Sequence, residues 1–484
     1  MNNQLPLGLN VAGRTALSAT LALALAACGG GGGSTTPPPT GGTPTPPPVA
    51  TCAISNQIAF ANDVLNEWYL FPDLLDNSVS AAGFTNVQSY LDARVAPARA
   101  QSRDKGFTFA TSIAEENALI NSGSSAGFGI RLAFDSFNNR VFLFETFENA
   151  PGFQAGMDRG TELTAIGTTA ANLQSVSSLM AAGGPQAVVD ALGPSDPGVT
   201  RVIRFVPVGG AVIEASVTKT DFSLDPISDR YGALIINDGG RNVGYLNLRT
   251  FIVADASNQL RDAFQLFNSN NVSELIIDFR YNGGGLVDVS EVFGDLLGEG
   301  RVGQVWSRTV LRSSKSSENT TRLFRNEVNS LRATKVAFIS TGNTASASEL
   351  VINSMLPYLN ADSVALVGGN TSGKPVGQFG FDFDACDLRI RAVTFQTVNA
   401  NDEGEYFTGL ASVVPNTCRA DDNIFFPLGD ANEDSVATAL DFLAGLSCTA
   451  IAGGADQTAQ SVGGRQTLQP EQPSAAQREI PGLF

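Results

Sequence analysis

Apolar positions along this chain change period twice, and each change marks a boundary. From about residue 55 to 121, Ile58, Ala61, Val64, Leu65 and Trp68 recur at the spacing of one helix face. Pro72 and Gly83 punctuate that stretch. From about residue 127 to 221 short β-rich runs take over: Val141-Phe142-Leu143-Phe144, Val202-Ile203-Arg204-Phe205-Val206, and residues 211–217. From about Tyr231 onward, buried strands alternate with amphipathic helices. Strands are predicted at 243–248, 275–279 and 336–339, and helices at 254–268, 287–297 and 348–356. Such alternation predicts an α/β core. After Cys448 the chain becomes rich in Gln, Gly and Ser, with Pro470, Pro473 and Pro481, so 449–484 reads as a disordered tail.

The other end carries an address. Arg14 precedes an apolar run over 16–27, too short to cross a bilayer as a helix, which predicts a signal peptide over 1–27. The run ends Leu25-Ala26-Ala27-Cys28, and small residues before a Cys resemble a bacterial lipobox. That resemblance implies cleavage before Cys28 and a lipid on its thiol. Glycines from Gly29 to Gly33, then Ser34, Thr35, Thr36 and repeated Pro up to Pro48, make 28–51 a tether with nothing to pack. Gly29 stands where an Asp would favour inner-membrane retention, so a periplasm-facing lipoprotein of the outer membrane is expected.

Cysteine usage agrees with export. Cys52, Cys386, Cys418 and Cys448 remain after Cys28, and an even number suggests two disulfides with three ways to pair. The favoured pairing is Cys386 with Cys418, inside one C-terminal β-rich stretch, and Cys52 with Cys448, tying the ends together.

Composition removes several classes of chemistry. The 484 residues include no histidine, which rules out a Ser-His-Asp triad, a Cys-His dyad, His-ligated metal and an imidazole pH switch. Acid–base work near neutral pH must then come from a carboxylate, a perturbed Lys, a Cys or a Tyr. A formal charge of -17 argues against nucleic acid as a partner. The length suggests about two to four domains, and 43% hydrophobic residues suffice for large cores.

Three motifs in the last segment carry chemistry. Thr344-Ala345-Ser346-Ala347-Ser348-Glu349 lies between a strand and a helix, where a hydroxyl is presented at a helix N-terminus beside free N–H groups. Ser346-x-x-Glu349 is also a capping box, which needs no catalysis to explain it. Gly368-Gly369-Asn370-Thr371-Ser372-Gly373-Lys374-Pro375 nearly spells a phosphate-binding loop. Pro375 replaces the Ser/Thr that would hold Mg²⁺, so no nucleotide is expected. What remains is one of only five lysines, set in a small-residue loop. A desolvated Lys can lose its proton and serve as base to a Ser hydroxyl. Asp278-Phe279-Arg280-Tyr281-Asn282-Gly283-Gly284-Gly285 runs a buried strand into three glycines, which suits an oxyanion hole, a peptide cleft or a tight turn.

Taken in order, with Gln378 four residues beyond Lys374, these motifs resemble the C-terminal processing (tail-specific) proteases, Ser-Lys peptidases of the S41 type. The resemblance spans roughly residues 58–446. It implies Ser346 as nucleophile, Lys374 as general base, Gln378 as the residue orienting Lys374, and Gly284 and Ala347 as oxyanion-hole donors. It also implies an α/β fold: a helical N-terminal region (52–125), a PDZ-like β-rich domain (126–222) and a core (223–448) related to the crotonase and Clp-protease fold. Gly127-Phe128-Gly129-Ile130 resembles the carboxylate-binding loop of PDZ domains, and 148–160 their later signature, from Glu148-Asn149-Ala150-Pro151-Gly152 to Gly160. Such domains add a ligand strand to a sheet edge. Two departures stand out: a Ser346-to-Lys374 spacing of 28, a few residues longer than usual, and Thr161 where the family has Asp. The implied activity is cleavage of envelope proteins or peptides, with no cofactor and no metal. The alternatives are a catalytically silent peptide-binding protein and a lipoprotein whose PDZ domain recruits partners.

Overall fold

The structure is a computed structural model describing residues 52–452, 461–462 and 464–484. The expected signal peptide, Cys28 and the tether lie outside the described residues.

Helix α1 (Ile54–Trp68) buries Ile58, Ala61, Val64, Leu65 and Trp68, the apolar face anticipated from spacing. Helix α2 (Val87–Arg94) starts at Asn86, whose side chain accepts from Ser89 N–H at 2.8 Å. Strand β1 (Phe109–Ser112) leads into α3 (Ile113–Ser122), which Ser112 caps and Gly123 ends at a φ of 63°.

Next comes the β-rich unit. Its strands are β2 (Ser124–Gly127), β3 (Ile130–Asp135), β4 (Arg140–Thr146) and β5 (Glu162–Gly167). Helix α4 (Val176–Leu192), interrupted at Gly183 and Gly184, is followed by β6 (Thr200–Val206), β7 (Ile213–Thr218) and β8 (Thr220–Ser223). Strands β3, β4, β5, β6 and β7 are antiparallel neighbours in that order. Strand β2 pairs with β8, so the unit is pinched closed where the chain enters and leaves.

The core alternates as predicted. Strands β9 (Ala233–Asp238) and β10 (Arg241–Asn247) precede α5 (Ala256–Ser269) and β11 (Glu274–Asp278). Helix α6 (Val287–Leu297) is followed by β12 (Val305–Leu311), β13 (Thr320–Leu323) and β14 (Lys335–Ser340). Helix α7 (Ala347–Met355) and β15 (Val364–Gly368) come next, then the hairpin β16 (Val376–Phe383) and β17 (Leu388–Val398). Strand β18 (Asn416–Arg419) and α8 (Asp434–Leu443) complete it. Among the described residues, six strands form one sheet in the order β9-β10-β11-β14-β15-β18, parallel from β10 onward. Both faces are covered, which explains the unbroken apolar runs. Leu275, Ile277 and Phe338 face α5, α6 and α7, while Ile276, Ala337 and Ile339 face α8. A second, antiparallel sheet of β1, β17, β12 and β13, with β16 beside β17, packs on α1.

Two expectations need correction. The disulfides are Cys52–Cys386 and Cys418–Cys448, with Cα–Cα distances of 5.1 and 5.3 Å. Cys386 and Cys418, neighbours in the β-rich stretch by sequence, are held apart, the first at a turn of the antiparallel sheet and the second in a strand of the parallel one. Cys386 sits at the β16–β17 turn beside the start of α1, and the chain after α8 brings Cys448 back to β18. The tail is not structureless over 464–484. Strand β19 (Arg465–Thr467) pairs with β3, helix α9 (Ala475–Glu479) follows, and Leu468, Ile480, Leu483 and Phe484 are buried. Its polar composition cannot build a core alone, but these four apolar residues complete cores built by other elements.

Candidate active site

Strands β11, β14 and β15 are consecutive parallel neighbours, and each motif begins where one of them ends. The Asp278–Gly285 loop, the Ser346 turn and the Gly368–Pro375 loop therefore converge at the carboxyl ends of the strands, where open α/β sheets hold their ligands.

Ser346 stands at φ 55°, ψ -116°, an uncommon backbone conformation for a residue with a side chain. The turn is held from several sides. Ala345 N–H donates to Asn282 O at 3.0 Å, and Thr344 Oγ1 to Phe279 O at 2.8 Å. Ser346 N–H donates to Glu349 Oε2 at 3.0 Å. Ala347, with its N–H, opens α7 immediately after the hydroxyl-bearing residue.

Glu349 does more than cap the helix. Its buried carboxylate also accepts from Gly373 N–H at 2.8 Å and Lys374 N–H at 2.7 Å. One side chain thus ties the serine turn to the lysine loop. Burial pushes its carboxyl above the usual range, against the pull of the donors around it. The sequence showed Glu349 only as the last letter of a capping box.

Lys374 follows Gly373, whose φ of +76° and contact with the Phe407 carbonyl leave no room for a side chain. Lys105 clamps the same loop, donating to Ser372 O and Phe407 O at 2.7 Å each. The Lys374 ammonium lies 4.8 Å from the centroid of the Phe107 ring. Burial pushes its pKa down, while Glu479, Asp104 and Glu349 push it up. Asp104 and Phe107 come from the N-terminal region and Glu479 from the tail, contributions that nothing in the motifs announces.

Gln378 lies near the start of β16 and donates from Nε2 to Phe107 O at 2.6 Å. Gln378 thus meets Phe107 at its carbonyl, and Lys374 meets the same residue at its ring. Gly284, at φ +108°, is backed against the serine turn. A β-carbon there would come within 2.6 Å of Ser346 Cβ and 2.9 Å of Ala347 N. Its N–H donates to Asn282 Oδ1 at 2.9 Å. Of the two expected oxyanion donors, Gly284 is therefore already engaged.

The Asp and Arg of the glycine motif have a structural task. Arg280 is fully buried and pairs with Asp278 at 2.9 Å, Asp422 at 3.0 Å and Glu433 at 2.8 Å. Asp422 also pairs with Arg159 of the β-rich unit at 2.8 Å, so this network joins the two bodies. At the same junction Glu148 accepts from Arg249 at 2.9 Å, and despite burial that guanidinium pulls its carboxyl down to about 2.

The loop Gly127-Phe128-Gly129-Ile130 lies at the edge of β3. Phe128 N–H and Ile130 N–H both donate to the main-chain oxygen of Phe484, at 2.9 and 3.3 Å. Gly129 has φ +69° and sits against Ala150, and Gly152 N–H donates to Phe128 O at 2.8 Å. The 148–160 segment thus buttresses the loop.

Residues 242–412 match the profile of Peptidase family S41. Among solved structures, the chain resembles a protein of Bacteroides fragilis NCTC 9343 described as an S41 protease. The TM-score is 0.62 at 23% identity, over 80% of this chain and 97% of that one. The photosystem II D1 C-terminal processing protease aligns at TM-score 0.43 and 16% identity, over 76% of this chain and 93% of its own. Mature CPAF in complex with lactacystin aligns at 0.43 and 12%, over 75% and 93%. No curated protein matches the chain. The fold is the mixed α/β fold of the S41 proteases, with its helical segment and β-rich unit ahead of the core.

Proposed function

We propose that this chain is an exported, lipid-anchored serine endopeptidase that works with a Ser346–Lys374 dyad on envelope proteins chosen by their C-terminal region. One observation carries the reading. The Glu349 carboxylate bonds the N–H groups of both Ser346 and Lys374, so hydroxyl and amine stand on loops tied together by one buried group. The S41 match over 242–412 agrees with it.

In this mechanism neutral Lys374 takes the proton of Ser346 Oγ as the oxygen attacks the peptide carbonyl. The tetrahedral oxyanion meets Ala347 N–H at the positive end of α7. Gly284 N–H joins it on turning from Asn282 Oδ1. Collapse breaks the C–N bond, and the Lys374 proton passes to the leaving amine. Water then hydrolyses the acyl-enzyme, with Lys374 again as base. The unit over 126–222 serves as a PDZ-like receptor for the substrate's end; the paired N–H groups of Phe128 and Ile130 support that role.

Degradation of an unfolded protein with an apolar C-terminus tests the dyad. Ser346→Ala and Lys374→Ala are each expected to lower kcat by about 10³-fold or more with unchanged thermal unfolding. Gln378→Ala is expected to lose about 10-fold, since it acts through Phe107. Full activity in either dyad variant overturns the reading. A peptide-binding protein without turnover is the second reading, favoured by the engaged Gly284 N–H. No cleavage by the wild-type chain would select it.

A further inference from the structure

The last residues of the sequence run from the dyad to the β3 edge as an extended ligand would. Phe484 N–H donates to Ile130 O at 2.9 Å, and Leu132 N–H donates to Gly482 O at 2.9 Å. Leu483 stands opposite Arg131 in an antiparallel bridge. This is strand addition to a sheet edge. The Phe484 side chain is 2% exposed, in the cluster of Phe128, Ile130, Met157, Val188 and Leu192, between β3 and α4. Ahead of it, Pro481 O accepts from Arg131 Nε at 3.0 Å and Nη2 at 2.9 Å, and the same guanidinium reaches Tyr281 O at 3.0 Å. One step further back, Glu479 reaches the glycine motif. A β-carbon on Gly283 would lie 3.0 Å from Glu479 O. The Glu479 carboxylate is among the charges that favour the protonated form of Lys374. Helix α9 is fixed in this pose by Gln477, whose Nε2 donates to Leu483 O at 2.8 Å.

We propose that residues 464–484 are the resident ligand of the groove between β3 and α4, and that a substrate chain gains both groove and dyad only by displacing them. The groove's ligand class is then an extended peptide carrying apolar residues of the Leu-Phe kind. The proposal deepens the peptidase reading and rests on it only for its effect on turnover. A tethered ligand acts at an effective concentration of about millimolar, so it outcompetes weak peptide ends and yields to strong ones.

Binding is the direct test, in the full-length Ser346→Ala background so that the probe is not cut. The probe is a fluorescent peptide with the sequence of residues 474–484. The chain with its own tail should bind it weakly, and the Phe484→Asp variant at least about 10-fold more tightly. Equal affinity overturns the proposal. Hydrogen exchange guards against a variant that merely misfolds. The amides of Phe128, Ile130 and Leu132 should lose protection in Phe484→Asp and regain it with the peptide, while β4 and β5 stay protected. Amides that stay protected in the variant overturn the proposal. Loss of protection on diluting the unmutated chain would assign the tail to a second copy and overturn the intramolecular form. With Ser346 intact, Phe484→Asp should lower KM for the unfolded protein several-fold. If no chain cleaves at all, the peptidase reading fails while the binding arm still decides this one.

Discussion

Lys374 is pulled in opposite directions. Burial favours its neutral form, while Glu479, Asp104 and Glu349 favour the charged form and Arg391 works against them. The net direction is down from the ordinary lysine value. A base must be unprotonated to act, so its competent fraction rises with pH. The expected kcat/KM profile is one ascending limb from neutral into alkaline pH, with its midpoint below that of an ordinary lysine. No imidazole limb near pH 6.5 should appear, since the chain has no histidine. A profile flat from pH 6 to 10 would remove Lys374 as the base. At this scale the sequence was informative. The absence of His left Lys among the few available bases, and Lys374 stood in a small-residue loop. The residues that tune it, Asp104, Phe107 and Glu479, lie at both ends of the chain and carry no local signature.

At the scale of elements, the N-terminus of α7 and the loop after β15 act as one unit because Glu349 spans them. Glu349→Ala would leave the N–H groups of Ser346, Gly373 and Lys374 without their acceptor. Each buried donor left unpaired costs about 1–3 kcal/mol. Denaturant unfolding should therefore report a loss of about 3 kcal/mol or more. The kcat of the still-folded fraction should also fall, because the serine turn and lysine loop part. A variant with wild-type kcat would show that Glu349 only caps the helix. Periodicity predicted β10, β11, β14, α5, α6 and α7 to within about two residues, but not β9, β15, β18 or α8. Strands buried on both faces read as apolar runs, so nothing there competes with the pattern. The β16–β17 hairpin was not predicted. Its burial depends on α1, far away in sequence.

At the scale of the whole molecule, helical region, β-rich unit and core are stapled by the Arg280 network, the Cys52–Cys386 bridge and the tail. The proposed anchor belongs here too. A Cys28→Ser chain should move from the membrane to the soluble fraction on cell fractionation, and unchanged membrane association would refute lipidation. The sequence by itself determined the order of the three bodies, the strand-to-helix turns that bear Ser346 and the glycines, and the exclusion of imidazole chemistry. These follow from period, steric freedom and composition, which are local properties. Only the tertiary structure decided which cysteines pair, that Gln378 bonds the Phe107 carbonyl, and that a polar-looking tail pairs with the β3 edge. Each of those depends on which distant groups come within a few ångströms, and burial at a site is supplied by the neighbours the fold delivers. For Phe484 those neighbours are β3 and α4, and no property of its own segment names them.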